Sequence, residues 1–223
     1  MPTARLKQSE DARHGGGPAS AAARRVSKGD VLRAARVLFA RQGYQQTTTR
    51  QIAAEAGLKS GSIYHHFRTK EEILHAILDP FVISSPPIFE RIVHSGGGVL
   101  ATFEAMIEQS LRFPMDDPHV AQILITERRT LSRLPEFKYI EDYWSRIRHL
   151  WRQLLEEGGR SGIFRTDLDV EIVVHTITAL VASLARDQMD DAGPAQRLIE
   201  VQKAILIRGL SVVRTFGADR GVD

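Results

Sequence analysis

The fold of this chain is indicated by residues 47–74, whose sequence is TTTRQIAAEAGLKSGSIYHHFRTKEEIL. The run reads as a short helix, a turn at Gly57, a second short helix and the capped start of a third. Thr48 and Gln51 have the three-residue spacing of a capping box, and Thr69 begins a second such pair. This order of elements predicts a helix-turn-helix unit.

The second helix of this unit opens with Ser60-Gly61-Ser62, which has almost no side-chain bulk. Small residues let a backbone approach a DNA duplex closely, and serine hydroxyls and a helix N-terminus bind bases or phosphates. Ile63 and Phe67, four residues apart, are predicted to face inward, which leaves Tyr64 and His65 facing outward with Lys59. Basic and aromatic side chains that form hydrogen bonds, placed around a helix N-terminus of small residues, favour docking in a DNA groove.

Four short motifs carry a resemblance to a known family. They are Gly43-Tyr44-x-x-Thr47-Thr48, Ile52-Ala53-x-x-Ala56-Gly57, Ser60-x-Ser62-x-Tyr64-x-His66-Phe67 and Lys70-Glu71-Glu72. Over roughly residues 25–75 the chain resembles the TetR-type (TetR/AcrR) transcriptional regulators. The resemblance implies an all-α homodimer, usually a repressor, that binds a palindromic double-stranded DNA operator and is released by a small-molecule effector. The DNA contacts it implies are Thr48, Thr49, Lys59, Ser60, Gly61, Ser62, Tyr64, His65 and Lys70.

Two of these positions depart from the family pattern. Thr49 stands where the family often has an apolar residue, and Lys59 stands where it usually has serine, so the operator preference is not carried over. For Tyr64, packing against the first helix is the alternative to a DNA contact. His65 and His66 suggest a metal site, but adjacent helical positions diverge by about 100°. With no thiol or carboxylate at ligand spacing nearby, no metal site is predicted.

The charge of the chain is unevenly distributed. Residues 1–80 hold 13 Lys and Arg against 7 Asp and Glu, whereas residues 81–223 hold 17 against 20. A basic front on a mildly acidic body is expected of a phosphate-binding domain joined to one that does not bind DNA. The absence of cysteine excludes disulfides and thiolate metal sites. With no apolar run of about 20 residues and no signal-peptide core, we expect a cytoplasmic protein without membrane contact.

Nearly every other segment has helical periodicity, which predicts an all-α fold of about nine helices. The family resemblance implies that the N-terminal part is a three-helix helix-turn-helix DNA-binding domain and that the C-terminal part is a helical ligand-binding and dimerisation domain. The predicted helices span residues 28–42, 49–56, 60–66, 70–79, 98–113, 118–131, 136–157, 169–188 and 194–214. After residue 79, Pro80, Pro86 and Pro87 predict an interruption of the helix, and the chain is expected to resume helix up to His94.

Four regions follow from composition and motifs. We predict a disordered basic arm over residues 1–24, a helix-turn-helix domain over 25–85 with its motif at 48–67, an effector-binding and dimerisation domain over 86–215, and a tail over 216–223. Arg24 and Arg25 at the end of the arm either reach a phosphate or the minor groove, or are simply solvated.

The last two helices are apolar around much of their circumference, so each must be buried on more than one side. In TetR-type proteins these helices form a four-helix dimer bundle. The predicted dimer contacts are Ile177, Leu180, Val181, Leu184, Leu198, Val201 and Ile205.

The effector pocket is predicted among the middle helices, with ordinary core packing as the alternative for each residue. Its candidates are Phe103, Met106, Phe113, Tyr143, Trp144, Arg148, Trp151, Arg152 and His175. A second resemblance concerns Leu134-Pro135-x-Phe137-x-Tyr139, Trp151, Leu154-Leu155-Glu156-Glu157-Gly158 and Gly162-x-Phe164-Arg165-x-Asp167-Leu168-Asp169. This set looks like regulators of lipid and steroid breakdown that respond to acyl-CoA thioesters. It implies that arginines bind CoA phosphates while tryptophan stacks on adenine.

Two other functions were weighed. An enzyme with an accessory helix-turn-helix domain would need catalytic motifs, and the sequence has no glycine-rich phosphate loop, no H-E-x-x-H pair, no nucleophile elbow and no cysteine. A purely structural or protein-binding role for the N-terminal domain is the other alternative. We therefore predict no catalytic residues, no cofactor and a DNA-binding regulator.

Overall fold

The computed structural model describes residues 26–190 and 195–212, without the side chains of residues 184–190, 195, 196 and 198. In that part of the chain the structure has nine α-helices and two 3₁₀ helices, so the all-α prediction is confirmed. The α-helices are α1 (Lys28–Gln42), α2 (Thr49–Glu55), α3 (Lys70–Val93), α4 (Val99–Asp116), α5 (Pro118–Thr126), α6 (Arg128–Leu131), α7 (Lys138–Arg160), α8 (Val170–Asp190) and α9 (Ala195–Leu210). The 3₁₀ helices are Ser60–His65 and Pro135–Phe137. The predicted arm, with Arg24 and Arg25, and the predicted tail lie outside the described residues.

Local capping signals set the ends of the first helix. The backbone N–H of Asp30 donates to Ser27 Oγ at 3.2 Å, and the backbone N–H of Ser27 donates to Asp30 Oδ2 at 2.9 Å. Gly43 ends the helix with an N–H bond to the Phe39 carbonyl at 3.0 Å. Because these interactions join neighbouring residues, the predicted limits 28–42 agree with the observed ones.

The helix α3 corrects one prediction. It runs without interruption through Pro80, Pro86 and Pro87, and it also spans the predicted domain boundary at residues 85–86. Proline removes one backbone donor and usually kinks a helix. Here the second half of α3 packs against α4 and α7, and Val82, Pro86 and Phe89 are buried there. Tertiary packing therefore outweighs the local preference.

A second difference concerns residues 118–131, which were predicted as one helix. They form α5 and α6, separated at Glu127. Elsewhere the predicted helices differ from the observed ones by a few residues at their ends. Among the described residues, no helix is both long and apolar enough to cross a membrane.

The chain has two parts, which we call the head (residues 28–79) and the body (residues 80–190 and 195–212). In the head, α1 packs against α2 and the first half of α3. In the body, α3 packs against α4, α7 and α5, while α8 packs against α4, α5 and α7, and α9 packs against α4 and α8. An isolated antiparallel bridge between Phe164 and Ser211 joins the loop after α7 to the chain after α9.

The head contacts the body through an ion pair and an aromatic group. Arg36 Nη1 on α1 lies 3.0 Å from Asp117 Oδ2, at the start of α5. The His75 ring on α3 stacks on Phe137 with ring centroids 4.5 Å apart. Beside it, the Tyr139 hydroxyl donates to Asp79 Oδ1 at 2.6 Å. Burial, together with this hydrogen bond, raises the pKa of Tyr139. Movement of the head relative to the body must disturb these contacts.

Candidate DNA-binding surface and effector cavity

The turn between α2 and the following 3₁₀ helix is closed by backbone hydrogen bonds. The N–H of Leu58 donates to the Ala53 carbonyl at 2.8 Å, and the N–H of Gly57 donates to the Ala54 carbonyl at 3.0 Å. This pair of bonds is the Schellman pattern, which requires a left-handed residue. Gly57 supplies it with φ of +73°. At the other end of α2, Thr48 and Gln51 form the predicted capping box.

The 3₁₀ helix Ser60–His65, which we call the recognition helix, lies where the sequence places it. Ile63 is buried, as is Phe67 directly after the helix, so this side packs into the head. The opposite side is solvent-facing: Tyr64 is 57% exposed, and Lys59, Ser60, Gly61 and His65 are exposed as well. The structure thus brings these five predicted DNA contacts together on one surface.

The remaining predicted contacts differ in their solvent exposure and in the hydrogen bonds that they already make within the head. The Tyr64 and Thr49 hydroxyls lie 3.4 Å apart, so the two helices are linked at the edge of this surface. Thr48 is exposed, although its hydroxyl also donates to Gln51 Oε1 at 2.9 Å. Ser62 is half-buried beside them. The contact of each residue with DNA stays a prediction.

Lys70 has a structural role that the sequence did not indicate. Its Nζ donates to the Tyr44 carbonyl at 2.8 Å and to the Thr47 carbonyl at 2.9 Å, and it lies 4.3 Å from the centre of the Tyr44 ring. Burial lowers the pKa of Lys70, and the neighbouring Glu71 partly opposes this. An ammonium group has three N–H donors, so one remains for a phosphate. Lys70 therefore ties the start of α3 to the loop before α2.

A small cavity lies between α3, α4, α5, α7 and α8 of the body, and we call it the inner cavity. Its volume is about 40 Å³, enough for only a few water molecules. The lining residues are Phe81, Phe89, Ser110, Phe113, Ile125, Tyr143, Trp144, Ile147, Trp151, Ile177, Thr178 and Val181. Burial raises the pKa of Tyr143 to about 12, and a side-chain hydrogen-bond contact with the Ser85 hydroxyl opposes this rise. This phenol is therefore neutral at physiological pH.

Four of the predicted effector contacts line the inner cavity, namely Phe113, Tyr143, Trp144 and Trp151. Phe103 and Met106 are fully buried but do not line it; Phe103 instead packs edge-on against Trp151, with centroids 5.5 Å apart. Phe81 and Phe89 were missed, because the prolines of α3 hid the helical spacing that puts both on one face. The prediction of His175 as an inward-facing residue is wrong, since its side chain is exposed in the described chain.

The predicted arginines do not line the inner cavity, because each is held by an acidic side chain. Arg148 Nη2 donates to Glu141 Oε1 at 3.0 Å, and Arg152 Nε donates to Glu171 Oε1 at 2.6 Å. Arg128 also donates to Glu141, and its guanidinium lies 5.7 Å from the Trp144 ring. Burial alone would raise the pKa of Glu141, but hydrogen bonds from the two arginines outweigh it and lower that pKa.

Comparison with known proteins identifies the family. The sequence model of the family "bacterial regulatory proteins, tetR family" matches residues 31–77. The family model of the tetracyclin repressor-like C-terminal domain matches residues 96–186. The HTH-type transcriptional repressor KstR2 of Mycobacterium tuberculosis is 37% identical over 152 residues, which covers 67% of this chain and 75% of that protein. The chain belongs to the TetR family. It is therefore a helix-turn-helix transcriptional regulator and not an enzyme.

Solved structures of TetR-family regulators agree with this fold. The ketosteroid transcriptional regulator KstR2 of Mycobacterium tuberculosis superposes with a TM-score of 0.76 at 30% identity, covering 90% of this chain and all of that one. FadR of Bacillus subtilis, solved in complex with stearoyl-CoA, has a TM-score of 0.56 at 22% identity and covers 82% of this chain and 99% of its own. The second likeness concerns the fold alone.

The residues predicted as dimer contacts lie on α8 and α9. The structure shows that they differ in solvent exposure. Ile177 is 2% exposed and lies inside its own body, so its prediction as a dimer contact is wrong. Leu180 and Val181 are half-buried against the same core. The side chains of Leu184 and Leu198 lie outside the described residues. Val201 and Ile205 on α9 are 48% and 63% exposed, as an intermolecular contact requires.

Among the described residues, no group of three or more His, Cys, Asp or Glu is placed to hold a metal ion. His65 is exposed and His66 half-buried at the end of the recognition helix.

Proposed function

We propose that this TetR-family regulator is a homodimeric repressor that leaves its operator when a small effector fills and widens the inner cavity. The observation that carries the proposal is the continuity of α3 from the head into the cavity wall. Ile73 and Leu74, in its first half, are fully buried in the head core. Phe81 and Phe89, in its second half, line the inner cavity.

A ligand larger than a few waters must displace the helices around the inner cavity, since the space holds about 40 Å³. A helix transmits displacement along its length, because its backbone hydrogen bonds resist bending. Movement of the second half of α3 therefore shifts the head and the recognition helix. The effector acts as a switch only when it binds the shifted state more tightly than the DNA-binding state.

The dimer supports palindromic recognition. Val201 and Ile205 present apolar side chains on α9, and Ile172 on α8 is 65% exposed. Packing of these residues against a second copy removes them from water, which stabilises association by about 25 cal/mol per Å² of apolar area. Two heads related by two-fold symmetry then read equivalent half-sites one helical turn or a multiple of it apart.

An acyl-CoA thioester is the effector class that we propose. The inner cavity is lined mainly by aromatic and aliphatic side chains, which suit an acyl or ring system. Outside it, Arg148 pairs with Glu141 and Arg152 pairs with Glu171, and phosphates can replace these carboxylates as acceptors. The similarity to a ketosteroid regulator supports the same class.

The test is release of a labelled operator fragment, selected with this protein from random DNA and followed by fluorescence anisotropy. We expect a long-chain acyl-CoA to weaken operator binding at least tenfold, while free CoA and the free fatty acid have little effect. The Arg148→Gln and Arg152→Gln variants should need more acyl-CoA for release. Equal release by all three compounds would contradict the thioester assignment, and no release by any would contradict it for acyl-CoA.

Operator binding itself is tested by a salt titration. Phosphate contacts release counterions, so the logarithm of affinity should fall steeply and linearly with the logarithm of salt concentration. A flat response would contradict DNA binding by the head.

A further inference from the structure

We propose that a second space, between the head and the body, is the access route to the inner cavity and a polar subsite for a neutral carbonyl oxygen of the effector. We call it the outer space. Its volume is about 320 Å³, and its lining residues are Arg36, Ile77, Pro80, Phe81, Ser84, Ser85, Ile88, Gln109, Phe113, Asp116, Asp117 and Val120. The inference rests on the proposed ligand-controlled function and specifies the chemistry of its ligand.

The two spaces are separated by a pair of aromatic rings. Phe81 on α3 and Phe113 on α4 line both of them. Their rings stack with centroids 3.5 Å apart and an angle of 18° between the planes. Both side chains are only half-buried, so rotation of either ring is less restricted than in the core. Parting the rings joins about 320 Å³ to the inner cavity. The rings thus form a gate.

Among the described residues, two polar atoms at the outer space lack a hydrogen bond of ordinary geometry, although one of them, Ser85 Oγ, lies close enough to the Tyr143 hydroxyl to affect its pKa. Ser85 is 3% exposed, and its Oγ makes no hydrogen bond of ordinary geometry. Arg36 Nε is also buried without a partner, although Nη1 of the same guanidinium pairs with Asp117. A buried polar group without a partner is unfavourable, and each one calls for an explanation. Both atoms are donors, so a ligand oxygen that accepts hydrogen bonds would satisfy them.

Charge decides which kind of oxygen fits. Asp116 and Asp117 line the outer space together with Arg36, the one cation among its described lining residues. Two carboxylates repel an anionic group, so a carboxylate or phosphate is disfavoured here. A neutral ketone, ester or amide carbonyl accepts hydrogen bonds without that repulsion. The apolar part of the same ligand would pass the gate and contact the tryptophans.

The position of Arg36 links this subsite to the head. Arg36 lies on α1, and its pairing with Asp117 on the body side is one of the contacts that orient the head. An oxygen bound to Arg36 Nε changes the position of the guanidinium and therefore this contact. Ligand binding at the outer space can thus alter head orientation directly, in addition to the effect through α3.

The subsite is tested by a pair of probes that differ in one carbonyl, 2-decalone and decalin, with the full chain. Trp144 and Trp151 are the two tryptophans of the chain, and both line the inner cavity, so their fluorescence reports its occupancy. We expect wild type to bind 2-decalone about tenfold more tightly than decalin, since the carbonyl satisfies buried donors. The Ser85→Ala variant should reduce this preference to about twofold or less.

Ser85→Ala should fold normally, because it removes a hydroxyl whose only interaction in the described chain is a contact with the Tyr143 hydroxyl that falls outside ordinary hydrogen-bond geometry. Ser132→Ala is the matched control: Ser132 is exposed and lines neither space, and its hydroxyl donates to the Arg129 carbonyl at 3.2 Å. We expect its carbonyl preference to equal that of wild type. An unchanged preference in Ser85→Ala, or the absence of any saturable fluorescence change with both probes, would overturn the subsite.

The gate is tested without a ligand by acrylamide quenching of the same tryptophans. Phe81→Ala should raise the quenching constant at least twofold, and Phe81→Leu should raise it less. Phe89→Leu, which alters a residue of the inner cavity alone, should leave it near the wild-type value. Equal quenching in Phe81→Ala and wild type would overturn the access route.

Operator release is measured separately in every variant. Release by acyl-CoA with no effect of Ser85→Ala on probe preference would overturn the subsite and leave the proposed function standing. Probe binding with the expected preference but no ligand-dependent release would support the subsite and contradict the proposed function.

Discussion

Replacement of Lys70 by methionine tests the tie between α3 and the loop before α2. Methionine keeps an unbranched side chain but removes the ammonium that donates to the Tyr44 and Thr47 carbonyls at 2.8 and 2.9 Å. The Tyr44 carbonyl keeps a second donor, the Thr47 N–H at 3.3 Å. The Thr47 carbonyl loses the Lys70 donor, and it belongs to a residue that is only 1% exposed. The loss therefore falls mainly on one buried backbone group.

The expected destabilisation follows from these contacts. Hydrogen bonds from a charged donor contribute about 1.5–3 kcal/mol each, and the cation–π contact adds about 0.5–1 kcal/mol. Since Lys70 is only half-buried, we take about 3 kcal/mol for the whole set. For a chain of this size that lowers Tm by about 6–12 °C. Thermal unfolding followed by far-ultraviolet circular dichroism measures it.

Lys59→Met is the matched control, because it removes the same charge from an exposed position of the head. Its Tm should stay within about 2 °C of wild type, since exposed substitutions change stability by about 0.5 kcal/mol or less. If Lys70→Met melted like Lys59→Met, the structural role of Lys70 would be refuted. A salt titration below the melting range then isolates its phosphate contact, whose loss should reduce the slope by about 1.

Three further predictions concern stability, DNA and the dimer. A Cβ on Gly158 would lie 2.0 Å from a Phe164 ring carbon, so Gly158→Ala should lower the free energy of unfolding by about 1–3 kcal/mol in a urea titration; wild-type stability would contradict the packing. Tyr64→Phe should weaken binding to cognate and scrambled DNA alike by about two- to tenfold, and a change confined to cognate DNA would contradict a phosphate contact. Ile205→Glu should yield monomers in sedimentation, whereas Ile83→Glu, at another exposed isoleucine, should not. Dimers in both would place the interface elsewhere.

Predictions from sequence succeeded where the responsible interactions join neighbouring residues. The capping box of Thr48 and Gln51, the turn at Gly57 and the inward positions of Ile63 and Phe67 all depend on spacings of a few residues. Such spacings are visible in the chain itself. The helix-turn-helix unit and the family resemblance follow from them, and the family comparisons confirm the assignment.

Predictions failed where the apolar pattern of a helix was compatible with more than one packing partner. Helix α8 is apolar on several sides, and the sequence could not show which side faces its own body. The structure buries Ile177 beside the inner cavity and leaves His175 exposed. The three prolines of α3 were given their usual helix-breaking weight, but packing against α4 and α7 holds the helix together.

The sequence by itself determined the helix-turn-helix unit, the all-α class and the family, because caps, turns and helical periodicity depend on neighbouring residues. Only the tertiary structure decided how that unit is controlled. Lys70 ties α3 to carbonyls 23 and 26 residues away, and Arg36 pairs with Asp117 across 81 residues. Contacts between residues so distant in sequence depend on the packing of whole helices, and no local pattern in the chain encodes them.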